Sequence, residues 1–125
     1  MHVSELRHEE AICLDADRLE EICHQLGYAG GETAICAAME DLAELLQQAV
    51  KKWRRGDLAG LEVTTRQAIG IADRIGMAGL ARVAGDVMGL SMGHDGAALA
   101  ATVARMRRLG EQSLLAIWDR QDLTI

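Results

Sequence analysis

Apolar positions recur every three or four residues along most of this chain, the spacing of helices that bury one face. The clearest run is Ile35, Met39, Leu42, Leu46, Ala49 and Trp53, which predicts a helix from about Glu32 to Arg55. Before it, Leu19, Ile22, Cys23 and Leu26 predict a short leading helix, capped by Asp15 or Asp17, with GYAGG (27–31) as the turn between the two. After Gly56 and Asp57, the residues Leu58, Leu61, Thr65, Ala68, Ala72 and Ile75 mark the buried face of a third helix. Gly76 closes it, and Leu80, Val83, Ala84, Val87 and Leu90 outline the next. MGHDG (92–96) is a turn in which Asp95 caps a last helix to about Trp118, with Leu99, Val103, Met106, Gly110, Ser113 and Ile117 inward. Brief turns force successive helices to run antiparallel. The pattern therefore predicts an all-α fold, an antiparallel up-down four-helix bundle with a short leading N-terminal helix. Residues 1–14 carry no long stripe and are expected to form a loose arm, leaving 15–125 as a single helical domain.

Composition sharpens this picture. With no Phe, two Trp and one Tyr, Ala and Leu must fill the core, and they suit closely packed helices better than sheets. Proline is absent, so nothing breaks a helix from within. A net charge of −6 opposes binding to a phosphate backbone, and no nucleic-acid partner is expected. The one dense basic cluster is Lys51, Lys52, Arg54 and Arg55, which complements the helix dipole and offers a rim for an acidic partner. No apolar run approaches the roughly 20 residues of a membrane span, so no membrane insertion is expected and a cytoplasmic location is. The three cysteines, Cys13, Cys23 and Cys36, lack paired spacing and read as reduced thiols. Cys23, His24 and Cys36 offer metal-ligand types but suggest no fourth ligand, so neither metal nor other cofactor is expected.

The order of elements resembles that of the histidine phosphotransfer (HPt) domain of bacterial phosphorelays, and the local sequence carries the likeness. That family bears on its third helix a motif read as Ala-His-x-Leu-Lys-Gly, with a further Gly six residues on. Here TTRQAIGIADRIGM places Gly70 at the motif glycine and Gly76 at the helix-ending glycine. Leu80 and Val87 fall at the family's apolar positions on the following helix, and Gly56-Asp57 matches its hinge. The resemblance spans roughly Asp15 to Leu114. Two departures decide what it implies. Arg66 stands at the position of the phosphorylated histidine and Ile69 at the lysine. A guanidinium stays protonated and has no free lone pair, so it cannot accept a phosphoryl group.

What the resemblance implies is a non-enzymatic docking module without the transfer chemistry. It would meet a receiver domain or histidine kinase of two-component signalling through Glu62, Arg66, Ile69, Gly70 and Asp73. The acidic site of a receiver would complement Arg66. One alternative is a helical dimerisation or assembly module of unrelated role, using Trp53, Trp118 or the DLTI tail in a homodimer. Another is active phosphotransfer through a non-standard histidine. The candidates there are His2, His8, His24 and His94, none of them on the third helix. No nucleophile–base set or phosphate-cradling glycine loop nominates another catalytic residue.

Overall fold

A computed structural model of the chain describes residues 14–123, with side chains through Asp119. It contains four helices: α1 (Ala16–Arg54), α2 (Leu58–Arg74), α3 (Ala78–Ser91) and α4 (Gly96–Leu123). Each helix packs on its two neighbours around a ring, α1 on α2 and α4, and α3 on α2 and α4. The connectors 55–57, 75–77 and 92–95 leave room only for reversals, which sets the antiparallel order. This is the all-α four-helix bundle that the periodicity predicts.

The starts are fixed where the sequence places capping residues. Asp15 accepts the Arg18 N–H at 3.1 Å, Asp57 that of Gly60 at 2.9 Å, and Asp95 that of Ala98 at 2.9 Å. Each satisfies one of the orphan donors of a helix's first turn. Helix α3 has no side-chain cap. Its entry is held instead by backbone pairing. Leu14 and Met77 form an isolated antiparallel bridge, and the Asp15 N–H donates to the Gly76 carbonyl at 2.7 Å. The segment leading into α1 is thus tied to the α2–α3 turn. The rest of the expected arm, residues 1–13, lies outside the described residues.

The expected break between a leading helix and the long helix is present, but shorter than the GYAGG segment. Within the span Ala16–Arg54 two helices meet at a kink, with non-helical angles at Gly27 alone (φ 78°, ψ 163°). One glycine in a conformation closed to other residues provides the whole change of direction. Tyr28 to Gly31 then resume the helix, and Thr33 secures that turn by donating its hydroxyl to the Ala29 carbonyl at 2.9 Å. Gly31 explains why the bend is sharp. A Cβ there would lie 2.7 Å from the Cα of Cys23, so the leading arm folds directly onto the helix that follows it. The bend also disrupts the arm's apolar stripe: Leu19 is buried, whereas Leu26, expected inward, is exposed.

The core is built from the residues on the other stripes. Leu42, Leu46 and Ala49 of α1 meet Leu61, Ala68 and Ala72 of α2, Leu80, Val83 and Val87 of α3, and Val103, Met106 and Ile117 of α4. Leu109 joins them unanticipated. Leu58, expected inside, sits at the first position of α2 beyond the packed layer and is partly exposed. Polar atoms in the core are mostly satisfied locally: Thr65 donates to the Leu61 carbonyl at 2.7 Å. Thr64 accepts the Lys52 ammonium at 2.6 Å, which folds one cation of the basic cluster back onto α2. The buried Ser113 hydroxyl has no hydrogen-bond partner among the described residues.

Candidate functional site

Helix α2 buries Leu61, Thr64, Thr65, Ala68, Ile71 and Ala72 on one side. At about 100° per residue, the opposite side is a strip running through Val63, Arg66, Gly70 and Asp73, all exposed. Arg66 is the largest group on it, with 65% of its side chain exposed, and its guanidinium meets the Glu62 carboxylate at 2.6 Å. An exposed pair one helical turn apart contributes a few tenths of a kcal/mol, about 0.3–0.5. Glu62 therefore orients Arg66 without committing it, and a carboxylate from outside can take its place at little cost.

Gly70 lies in the middle of α2 with nothing within 4 Å of where a Cβ would stand, and its φ is not positive. Neither close packing nor backbone conformation calls for glycine at this position. Its presence weakens the helix relative to alanine by roughly 0.5–1 kcal/mol. It leaves a notch beside Arg66 where the helix backbone is bare.

On one flank the notch opens into a shallow groove of about 720 Å³ between α2 and α1. Gln67, Gly70, Ile71 and Arg74 line it from α2, and Asp41, Glu44, Leu45 and Gln48 from α1. Ile69 lies on the other flank, about 200° around the helix from Gln67. It is half-buried against the core rather than presented as an exposed apolar contact. Of the five expected contact residues, the structure thus aligns Arg66, Gly70 and Asp73 on the outward strip. Glu62 stands beside Arg66, and Ile69 is turned into the packing. Two features were missed in the sequence. Val63 is an exposed apolar residue on the strip, legible only as an apolar position off the buried stripe. The α1 wall of the groove needed the pairing of α1 with α2 to be known.

The other candidates fall elsewhere. Trp53 is half-buried and packs against the core, whereas Trp118 is exposed on α4. The last two residues of the DLTI tail lie outside the described residues, and nothing is described of its side chains. His24 and His94 are exposed, on the leading arm of α1 and in the α3–α4 turn; His2 and His8 lie outside the described residues. Cys23 and Cys36 are half-buried thiols on α1. Among the described residues no three His, Cys, Asp or Glu side chains are grouped to hold a metal ion, and no helix is long and apolar enough to cross a membrane. Comparison with known proteins adds no identification: no family model, no curated protein and no solved structure matches the chain significantly.

Proposed function

We propose that this bundle is a phosphotransfer-like interaction module without the transfer histidine, docking on a receiver or kinase domain of a bacterial two-component system. The observation that carries the reading is Gly70, a mid-helix glycine with open space before it and an exposed guanidinium one turn away; Gly85 and Gly89 of α3 are equally open, and it is Arg66 that sets Gly70 apart. Its cost to the helix has no return within the chain, and a bare backbone notch is what a partner's close approach requires. Arg66 beside it supplies a planar donor for an acidic partner, in line with the carboxylate-rich site of a receiver. The groove formed with α1 gives that partner a second wall. The chain carries no phosphate in this reading and acts in the cytoplasm as an adaptor or competitor.

The test is titration calorimetry of the purified chain against isolated receiver and kinase domains from its host. Arg66→Glu should weaken binding at least about tenfold, because it places like charges together and leaves both unpaired. Gly70→Gln should abolish it by filling the notch while leaving the fold intact by circular dichroism. Equal binding by all three proteins, or no binding by the wild type, would remove α2 as the docking face. Incubation with a phosphorylated receiver should leave no acid-labile phosphate on the chain. Label that appears on the wild type and vanishes in His24→Ala or His94→Ala would overturn the non-transfer reading.

A further inference from the structure

The two ends of the bundle differ in charge in a way the α2 face does not use. At the end where α1 bends, an open cleft of about 810 Å³ is floored by Leu19, Ile35 and Ile117 and bordered by Asp17, Glu20, Glu21 and Glu32. No Lys or Arg lines it, Arg18 of the same arm included. Large apolar groups stand exposed at this end: Tyr28 (82%) and Leu26 near the bend, and Trp118 (53%) and Leu115 near Ile117 on α4. At the opposite end, Lys51, Arg54 and Arg55 are exposed where α1 stops, with Met92 and Leu58 as exposed apolar neighbours in the adjoining turns. Of the acids near them, Asp57 and Asp95 are occupied as helix caps, and Glu111, which lines a groove with Lys51 and Arg54, pairs with Arg107. Among the described residues neither the four carboxylates of the cleft nor these three cations form an ion pair.

We infer that the acidic, apolar-floored cleft at one end of the bundle docks the basic end of a second copy of the chain, head to tail. Residues 28–54 of α1 separate the two ends by about 40 Å, at about 1.5 Å per residue, so no molecule can join its own poles. A two-fold dimer closed through the cleft ends would set carboxylates against carboxylates. A like-to-unlike contact avoids this and is heterologous, so it leaves a free pole at each end and grows by addition. Apolar groups at both ends give the contact area to exclude water, while the charges select the orientation.

Sedimentation velocity of the full chain over a range of concentrations tests this. The Debye length is about 30 Å at 0.01 M salt and about 8 Å at 0.15 M, so assembly should be strongest at the lower salt and recede at the higher. Mean mass should rise past the dimer without a plateau at two copies. A double reversal at the cleft, Glu20→Lys with Glu21→Lys, should abolish growth. So should a double reversal at the other end, Lys51→Glu with Arg54→Glu. Mixing the two variants should restore association, because the intact basic end of one meets the intact cleft of the other in a 1:1 pair. Growth beyond that pair follows where the two reversed poles, again of opposite charge, also meet. All four side chains are exposed; should a reversal nevertheless unfold the chain, Glu20→Gln with Glu21→Gln or Lys51→Gln with Arg54→Gln takes its place, and growth should again be lost. A wild type that stays monomeric at low salt, a dimer that does not grow, assembly indifferent to either substitution, or reversals whose mixture stays dispersed would each overturn the proposal.

Discussion

Gly70 and Gly76 stand six residues apart on the same resemblance, yet their surroundings make opposite demands. Gly76 has φ 76°, and a Cβ there would lie 2.9 Å from the carbonyl oxygen of Asp15, the residue whose N–H donates to the Gly76 carbonyl and ties the leading segment to the α2–α3 turn. Gly76→Ala should therefore destabilise the protein by at least about 1 kcal/mol, through left-handed strain and the displaced pairing. Gly70 has helical backbone and open space, so Gly70→Ala should stabilise by roughly 0.5–1 kcal/mol. Urea unfolding of the two variants checks both signs, and a loss of stability at Gly70 would mean that the fold itself requires this glycine. Both positions were visible in the sequence as glycines in a helical pattern. Which one the fold needs was not, because that depends on a carbonyl sixty-one residues away along the chain (76 − 15). Ile69 shows the same limit: its number places it near the outward strip, but its burial follows from neighbouring packing.

At the scale of elements, periodicity located the stripes of all four helices, and acidic caps marked three starts, because both signals are local. The bend in α1 was harder. GYAGG has the composition of a turn, and the break does fall within it, but at Gly27 alone, the four residues after it already belonging to the second helix. The helix resumes there because the arm has a surface to lie against, supplied by Gly31 under Cys23. That contact joins residues on the two sides of the bend, where single-helix spacing gives no warning of it. Gly31→Val should push the arm away, since its Cβ alone would stand 2.7 Å from the Cys23 Cα, a backbone atom. The expected cost is about 1–3 kcal/mol, typical of overpacking. Hydrogen exchange offers the sharper readout: amides of residues 18–26 should lose protection while those of 42–50 keep theirs. Uniform loss across α1 would instead show that arm and bundle unfold as one unit.

Across the whole molecule, the two proposed surfaces are oriented differently, one along the side of α2 and the other at the ends of the long helix. The ends became distinguishable only after folding. In the sequence, the bases at the close of α1 read as a complement to the helix dipole and a rim for an acidic partner, with nothing to set the acids of the arm against them. The bend changes this, bringing the arm's carboxylates together around an apolar floor that includes Ile117 from the other end of the chain. Arg66 is absent from that cleft, and none of its lining residues belongs to α2. Substitutions at sites with no shared partners combine additively to within about 0.3–0.5 kcal/mol. Arg66→Glu should accordingly leave salt-sensitive self-assembly unchanged, and reversal at the cleft should leave receiver binding within about twofold, the same margin expressed as affinity. The triple variant combining both should lose each property to the extent of its parent. Sedimentation and calorimetry on the same preparations measure the two separately. If Arg66→Glu also dispersed the assemblies, α2 would belong to the contact between copies, and a partner that binds α2 would then compete with assembly instead of adding to it.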